Sequence, residues 1–588
     1  MLQSTYQERI TRFQTELTSI KKQLLANSLI RLLVFLTVLA AVYFLWDVDY
    51  GVAIPIGLGV LLFMLLVNRH SNLKYQKEYL DKLILINEQE IEALSGDYSY
   101  FNDGTHYQDP LHEFSHDIDL FGPHSFFQTI NRTVTQNGSD LLAQWITSNN
   151  TDALTAKQKA LQELSEKIDF RQEFTATAML IDQEESAHGA LSWLNDYKAI
   201  MPKWSTWLPY LILIAFVIFG TLYWLEFLPV WYAVGVFFIG LIFTKKYLKH
   251  TQEFSLKISK LEQVFTSYAK IISLLEGQEF KTSILVELQQ EVLVDGVTAS
   301  SSVRQLARLI GKLDQRNNML FGFLANGIYL WDIKQVYAIE QWMNQYQQQV
   351  VGWVQAIHTM DAYNSLGNFV YNNPNYVFPE ITQQPQQLNA HELIHPLLPD
   401  DGAVGNDIQI SNGQFFIVTG ANMAGKSTFL RTVSLSIVMA NCGLPLRCKQ
   451  VSYSPMPLIT SMRTTDSLSD QSSYFFSELK RLQFITQQLK ERDYFIVLDE
   501  ILKGTNSQDK ANGSRKLVER LSLQGATGII ATHDLSLTEI ATEYETVFNY
   551  YFDAQIIDDE LHFDYKMSEG VAANMNASFL LKKMGIVD

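Results

Sequence analysis

Hydrophobic positions along this chain follow two different rules. Over 28–70, and again over 207–244, they run nearly unbroken; the first block reads SLIRLLVFLTVLAAVYFLWDVDYGVAIPIGLGVLLFMLLVNRH. Each block is split once, at Asp47–Tyr50 and around Glu226–Pro229, so each predicts a helical hairpin. The halves lie at or just below the ~17–25 residues that cross a bilayer. Trp46, Tyr50, Trp207, Trp224 and Trp231 stand at the ends of the runs, where an interfacial aromatic belt forms. Lys21, Lys22 and Arg31 precede the first hairpin and Arg69 and Lys74 follow it. Lys203 precedes the second, and Lys245, Lys246 and Lys249 follow. By the positive-inside rule every long segment faces the cytoplasm, which predicts a multi-pass anchor in an inner or cytoplasmic membrane.

Elsewhere the apolar residues recur at helical spacing. Ile10, Phe13, Leu17, Ile20 and Leu24 step by three and four, and Leu80, Ile84, Ile91 and Leu94 repeat this on the return, interrupted by Asn87. The spacing predicts an antiparallel stalk, a dimer contact, or two amphipathic helices lying on the body. The expected order is an N-terminal amphipathic helix (1–27), transmembrane hairpin 1 (28–70), a stalk or linker helix (71–104), core helices (105–206), transmembrane hairpin 2 (207–247) and core or lever helices (248–384). From 385 to 588, short apolar runs alternate with helical spacing, as in an α/β domain.

Composition narrows this picture in three ways. The chain of 588 residues is long enough for two or more cores, and its 47% hydrophobic content is ordinary, so any membrane part is local. A net charge of -17 argues against wholesale wrapping of nucleic acid, while leaving room for a local basic surface. One candidate is Arg304, Arg308, Lys312 and Arg316, four apart on one helix: a stripe that could track phosphates, or a solvated face. Two cysteines, Cys442 and Cys448, are too few for a disulfide framework and predict reduced, buried thiols. HEFSH at 112–116 is a literal HExxH, a zinc-protease pattern when helical. Pro110 and DIDLFGP leave only a short helix, and Asp119 and Gly122 occupy the places of further ligands, so no zinc is expected.

The α/β segment names its ligand. TGANMAGKST, 419–428, follows an apolar strand, Phe415–Val418, and opens a helix on which Phe429, Val433, Ile437 and Met439 recur up to Gly443. This is a P-loop in its required context. The loop over Gly420, Asn422, Met423 and Gly425 would cradle phosphates with its N–H groups, Lys426 would reach the outer phosphates, Ser427 would ligate magnesium, and Thr428 completes the set. DYFIVLDEI, 493–501, predicts a buried strand delivering Asp499 to the magnesium shell and Glu500 to the attacking water, so ATP hydrolysis is expected. GIIATHDL, 528–535, ends a further strand at His533, placed to sense the terminal phosphate.

Between the P-loop and Asp499 there is no Gly-rich transporter signature; a helix begins instead near Ser473 and carries Glu478. The set TGANMAGKST, SYFFSEL, DEILKGT and ATH resembles the MutS family. The stretch DIDLFGPHSFFQTINRTVTQNGSDLLAQW (117–145) resembles that family's core, and HPLLP and VGND resemble the entry to its ATPase. The resemblance covers roughly 105–200 and 390–588. It implies an α/β fold class: an ABC/RecA-like P-loop ATPase domain (385–588), preceded by an all-α core and lever region that here carries the two transmembrane hairpins. It implies a homodimer through the ATPase domains, with Ser473 acting in trans beside Gly504, Thr505 and Asn506. It also implies lever helices over 251–372 that close around double-stranded or branched DNA. Ala421 and Ala424 replace a Pro and a Gly of the family loop, and Ala403 stands where the family often has an adenine-stacking aromatic. The mismatch-reading domain has no counterpart where the first hairpin and stalk stand, and the literal Phe476-Ser477-Glu478 lies inside the signature helix. The expectation is a membrane-anchored, ATP-driven clamp acting on DNA without reading mismatches directly. The competing expectation is an ATP-driven membrane remodeller or transport-like protein that never meets DNA.

Overall fold

The computed structural model describes residues 2–47, 51–181, 197–294, 297–384, 387–463, 474–503, 505–557 and 560–572. Helices α1 (Leu2–Phe44) and α2 (Ala53–Leu94) form an antiparallel pair. Neither breaks where its composition changes, because LLANSLIRLL and LLVNRHSNL contain no Pro or Gly to interrupt the ladder. Gly59 brings the apolar halves close: a Cβ there would fall 2.3 Å from Val38 Cγ2. In the polar halves Ile10, Phe13 and Leu17 meet Leu80, Leu83 and Ile84. The far end of this stalk also lies on the body through Ala176, so the paired and the body-docked arrangements coexist. Asn87, the interruption in the seam, exchanges two 3.0 Å amide hydrogen bonds with Gln172.

The core helices are α3 (Phe126–Ile130), α4 (Gln136–Thr147), α5 (Leu154–Glu166) and α6 (Ile168–Ala178). A second apolar pair follows, α7 (Leu208–Trp224) and α8 (Trp231–Ile258), then α9 (Glu262–Glu276) and α10 (Ser283–Val292). Two-residue strands β1 (Leu293–Val294) and β2 (Val297–Thr298) lead into α11 (Ala299–Asp314), α12 (Met319–Tyr329) and the 42-residue α13 (Trp331–Asn372). Among the described residues α1, α2 and α8 are long and apolar enough to cross a membrane; α7 and α12 are shorter apolar helices. The fourth span expected from the sequence is thus a 17-residue helix, and α12 is an apolar element that was not expected.

Helix α13 organises the core. Buried Asp361 accepts from the Thr135 backbone N–H (2.8 Å), its hydroxyl (2.7 Å) and the Val134 N–H (3.0 Å). Burial pushes its carboxyl up to about 6 against those donors. Thr135 in turn caps α4 by accepting from Gly138 N–H, and a Cβ on Gly138 would fall 2.5 Å from Asp361 Oδ2. Ser365 accepts from Arg132 N–H and donates to Ile130 O, both at 2.7 Å. The RTVTQNG stretch is therefore stitched to one face of α13.

Beyond α13 the chain is mixed α/β. One sheet, ordered β3-β7-β4-β5, joins β3 (Glu380–Ile381), β4 (Leu388–Leu393), β5 (Asn406–Ile410) and β7 (Gln450–Tyr453). The larger sheet runs β14-β11-β6-β10-β9-β8. Its members are β6 (Phe415–Gly420), β8 (Leu458–Ser461), β9 (Phe495–Asp499), β10 (Thr527–Ala531), β11 (Val547–Phe552) and β14 (Met567–Glu569). All pairings are parallel except β11 with β14. β12 (Gln555–Ile557) and β13 (Glu560–His562) form a separate hairpin. The central parallel strands β6, β9 and β10 are almost wholly buried, as the middle of a sheet covered on both faces requires.

Candidate nucleotide site

Strands β6, β10 and β9 are neighbours, so the loops leaving their C-terminal ends converge on one edge. After β6 the loop turns through Gly420 (φ 139°), Met423 (φ 67°) and Gly425 (φ 109°) into α14 (Lys426–Asn441). Gly420 has no room for a side chain, since a Cβ would sit 2.5 Å from Phe552 O. Asn422, Met423, Ser427 and Thr428 are exposed at the loop and helix start, available to a phosphate chain. Lys426 is buried and folds back on its own loop, donating to Gly420 O (2.8 Å) and Ala421 O (2.9 Å). Burial lowers its pKa, opposed by the charges of Glu500 and Asp499.

The Ser427 hydroxyl donates to Asp499 Oδ2 at 2.7 Å. A hydroxyl and a carboxylate oxygen in contact at a phosphate loop form the donor pair that suits a hard cation sharing its shell with phosphates and water. Glu500 follows with φ 47°, a left-handed conformation that costs a non-glycine residue about 1 kcal/mol. Its N–H donates to Ala531 O (3.0 Å), and one carboxylate oxygen lies 2.5 Å from His533 Nε2. The hydrogen bond from His533, with its charge and those of Lys503 and Lys510, holds the Glu500 carboxyl down to about 2 against burial. His533 Nε2 is also 3.4 Å from Lys426 Nζ. A nitrogen that donates to Glu500 cannot accept from Lys426, so His533 belongs to the carboxylate here.

Beside the loop lies a cavity of about 210 Å³ lined by His395, Ala403, Asn406, Gly425, Thr428, Phe429, Phe552 and Tyr565, among others. Asn406 fixes Tyr565 by donating to its carbonyl (3.0 Å) while accepting from Met567 N–H (2.8 Å). His395 is pulled down to about 4 by burial and the nearby Arg431 guanidinium, so it is neutral at pH 7. The cavity is apolar enough and sized for a planar base. Ala403 is only one wall of it; Tyr565 supplies an aromatic from the far end of the domain. No local pattern marks Tyr565 in the sequence, whereas His395 sits in the HPLLP stretch.

Ser473 and Gly504 lie outside the described residues; the helix after Ser473, α15 (Tyr474–Gln488), is described. Buried Glu478 on α15 accepts from Lys503 N–H at 2.9 Å, tying this helix to the segment that follows Glu500. Asn506 caps α16 (Ser507–Leu523) by accepting from Asp509 N–H.

Residues 416–582 match the family described as MutS domain V. This segment belongs to the MutS family. A DNA mismatch repair protein MSH4 of Arabidopsis thaliana is 33% identical over 215 residues, 35% of this chain and 27% of that protein. The MutS protein homolog 4 of Homo sapiens is 29% identical over 212 residues, covering 34% and 22%. A DNA mismatch repair protein MutS of Methanococcoides burtonii is 32% identical over 223 residues, covering 36% and 25%. The match spans about a quarter of the length of these relatives. The MutS-family domain is thus a P-loop ATPase domain, set on a mostly helical region that precedes it.

HEFSH joins these two parts. Residues 112–116 form turns, not a helix, and His112 Nδ1 accepts from Phe114 and Ser115 N–H. Glu113 takes hydrogen bonds from Asn149 and Tyr494. Buried Asp117 accepts from Thr460 Oγ1 (2.5 Å), Met462 N–H (3.1 Å) and Arg463 N–H (2.9 Å) just after β8. Arg481 on α15 donates to the carbonyls of His112, Glu113 and Thr460. The sequence pattern gives no sign of Asp117 and Arg481, because the partners of Asp117 and those of Arg481 in the HEFSH turn lie more than 300 positions away. The basic stripe divides: Arg304, Arg308 and Lys312 are exposed, while Arg316 pairs with buried Asp332 at 3.1 Å.

Proposed function

We propose that this chain is a membrane-anchored MutS-family ATPase that hydrolyses ATP with magnesium and works as a homodimer, closing a clamp on double-stranded or branched DNA. The observation that carries the reading is the convergence of Lys426, Ser427, Asp499, Glu500 and His533 at one sheet edge, in a chain with three span-length apolar helices. Lys426 leaves its loop carbonyls to reach the outer phosphates, and the loop N–H groups of Asn422–Thr428 bind the chain of phosphates. Ser427 and Asp499 would hold magnesium, which would supply positive charge to offset that of the phosphates. Glu500, kept ionised by His533, takes the proton of the attacking water, and His533 sets its position near the terminal phosphate. The partner's Ser473 completes the site, and the base rests between Tyr565 and the His395 side of the cavity.

Relatives named for DNA mismatch repair and the exposed row Arg304, Arg308 and Lys312 favour DNA as the substrate of the clamp. By the sequence resemblance, α1 and α2 take the positions a mismatch-reading domain would hold, which supports a role in repair or recombination without direct mismatch reading. Positive charge at the ends of the apolar runs favours an ATPase domain on the cytoplasmic side of an inner membrane.

The test uses the full chain in lipid nanodiscs. ATP with magnesium should be hydrolysed, Lys426→Ala should abolish nucleotide binding, and the protein should shift duplex or branched DNA in a salt-dependent manner. A chain that stays monomeric and inert with ATP and magnesium overturns the reading. Hydrolysis without any DNA shift at low salt replaces the clamp with the membrane-remodelling reading.

A further inference from the structure

Helix α12 (Met319–Tyr329, MLFGFLANGIY) carries no charged residue and lies outside both hairpins in sequence, yet it packs against α7 and α8. The approach is close: a Cβ on Gly327 would fall 2.1 Å from the Phe237 ring, and one on Gly240 would fall 2.3 Å from Gly327 O. Phe323 meets Phe237 edge-on at 5.2 Å. Gly322, Asn326 and Gly327 are buried, while the helix presents an open face toward its N-terminal end: Met319 is 88% exposed, Leu320 69% and Phe323 51%. The helices it packs on expose Leu211, Ile214, Phe238 and Ile242, so the open face extends theirs.

Its C-terminal end has a different chemistry. Tyr329 packs edge-on to Tyr210 at 5.6 Å, Lys334 Nζ lies 3.7 Å over the Tyr210 ring, and Trp331 follows. Aromatic rings with a lysine at the end of an apolar helix are what a bilayer interface selects. A polar joint then locks α12 to α13. Leu330 turns the chain at φ 47°, Asp332 N–H donates to Asn326 Oδ1 (3.0 Å), Arg316 pairs with Asp332, and Trp331 Nε1 donates to Lys312 O (2.9 Å).

We infer that α12 is a further membrane-inserted element, its open face covered by lipid acyl chains. The inference rests on the membrane reading of α7 and α8 above. A protein partner would need polar groups at the patch to fix its register, and the open face offers none; acyl chains need none. The consequence is that α13 starts at the bilayer surface and ends on the ATPase side, where Asp361 and Ser365 hold the α4 region. Motion of that helix and depth of α12 in the lipid are one coordinate.

The experiment places an environment-sensitive dye on Leu320→Cys, and separately on Met319→Cys, in a Cys442→Ala/Cys448→Ala chain reconstituted in proteoliposomes. Ile214→Cys on α7 and Gln305→Cys, exposed on α11, serve as references. Lipids brominated on their acyl chains should remove most of the emission at 320, 319 and 214, and leave 305 unchanged. Quenching at 214 but at neither 319 nor 320 overturns the inference while the hairpin stands. No quenching at 214 removes the membrane reading and the inference with it. Disulfide-linked dimers through the 320 variant, without quenching, put a second copy on this face and also overturn it.

Discussion

Replacing Asp117 with Ala tests how the core helices control the nucleotide site. Asp117 is 4% exposed and is the acceptor for two backbone N–H groups and one hydroxyl at the end of β8. Thr460 Oγ1 keeps a fallback in Glu113 O at 3.5 Å, so its loss is small. Met462 and Arg463 N–H have no such fallback among the described bonds, and a buried donor left unpaired costs about 1–3 kcal/mol. Arg463 is exposed, so water recovers part of its share. The sum is about 3 kcal/mol, or roughly 100-fold easier local opening of this segment. Hydrogen exchange followed by mass spectrometry reads it directly. Exchange over 458–463 should accelerate by about that factor, while the peptide over 495–499 stays protected. Asp117→Asn keeps a carbonyl and should fall between. ATP affinity should hold, because Lys426 and its loop are untouched, while turnover drops as the segment leading to Ser473 loses its anchor. Unchanged exchange over 458–463, or equal acceleration over 495–499, would refute the argument that Asp117 holds this segment locally.

Three further substitutions probe the site. Glu500→Gln should keep ATP bound and cut hydrolysis by about 10²–10⁴-fold; normal turnover in a steady-state phosphate assay would remove Glu500 as base. Tyr565→Ala should weaken ATP binding by about 10-fold or more, as loss of one base-stacking ring does, while tripolyphosphate binding measured by calorimetry is unchanged. His395 has its folded pKa at about 4, below its ordinary value, so between pH 6.5 and 4 the unfolded chain binds the extra proton and stability falls as pH falls. The loss reaches about 3 kcal/mol at the acid end, and His395→Asn should flatten that slope in thermal melts at pH 5 and 7; equal slopes would refute it.

The placement of the candidate site residues was legible because they are contiguous or stand at the ends of predictable strands: Lys426 and Ser427 follow β6, Asp499 ends β9 with Glu500 next, and His533 follows β10. The helical stalk was legible as periodicity, but the reason for Asn87 was not, since its partner Gln172 is 85 positions away. Tyr565 and Asp117 share that difficulty: each acts on atoms the sequence places in another segment. Helix α12 was hidden for another reason. At 11 residues it is too short to read as a span, and it sits inside a run of helices whose lever-like spacing absorbs it. Arg316 shows the opposite error, where spacing suggested an open basic row and the fold assigned its last member to Asp332.

The unbroken course of α1 and α2 from apolar to polar half constrains how two copies can meet. On the membrane reading proposed above, a tether without a swivel would give every anchored molecule the same upright pose. Identical molecules upright in one bilayer can be related by a two-fold only when that axis lies along the bilayer normal. In the proposed dimer the ATPase lobes would then meet side by side, never one above the other, and would find each other by diffusion in a plane.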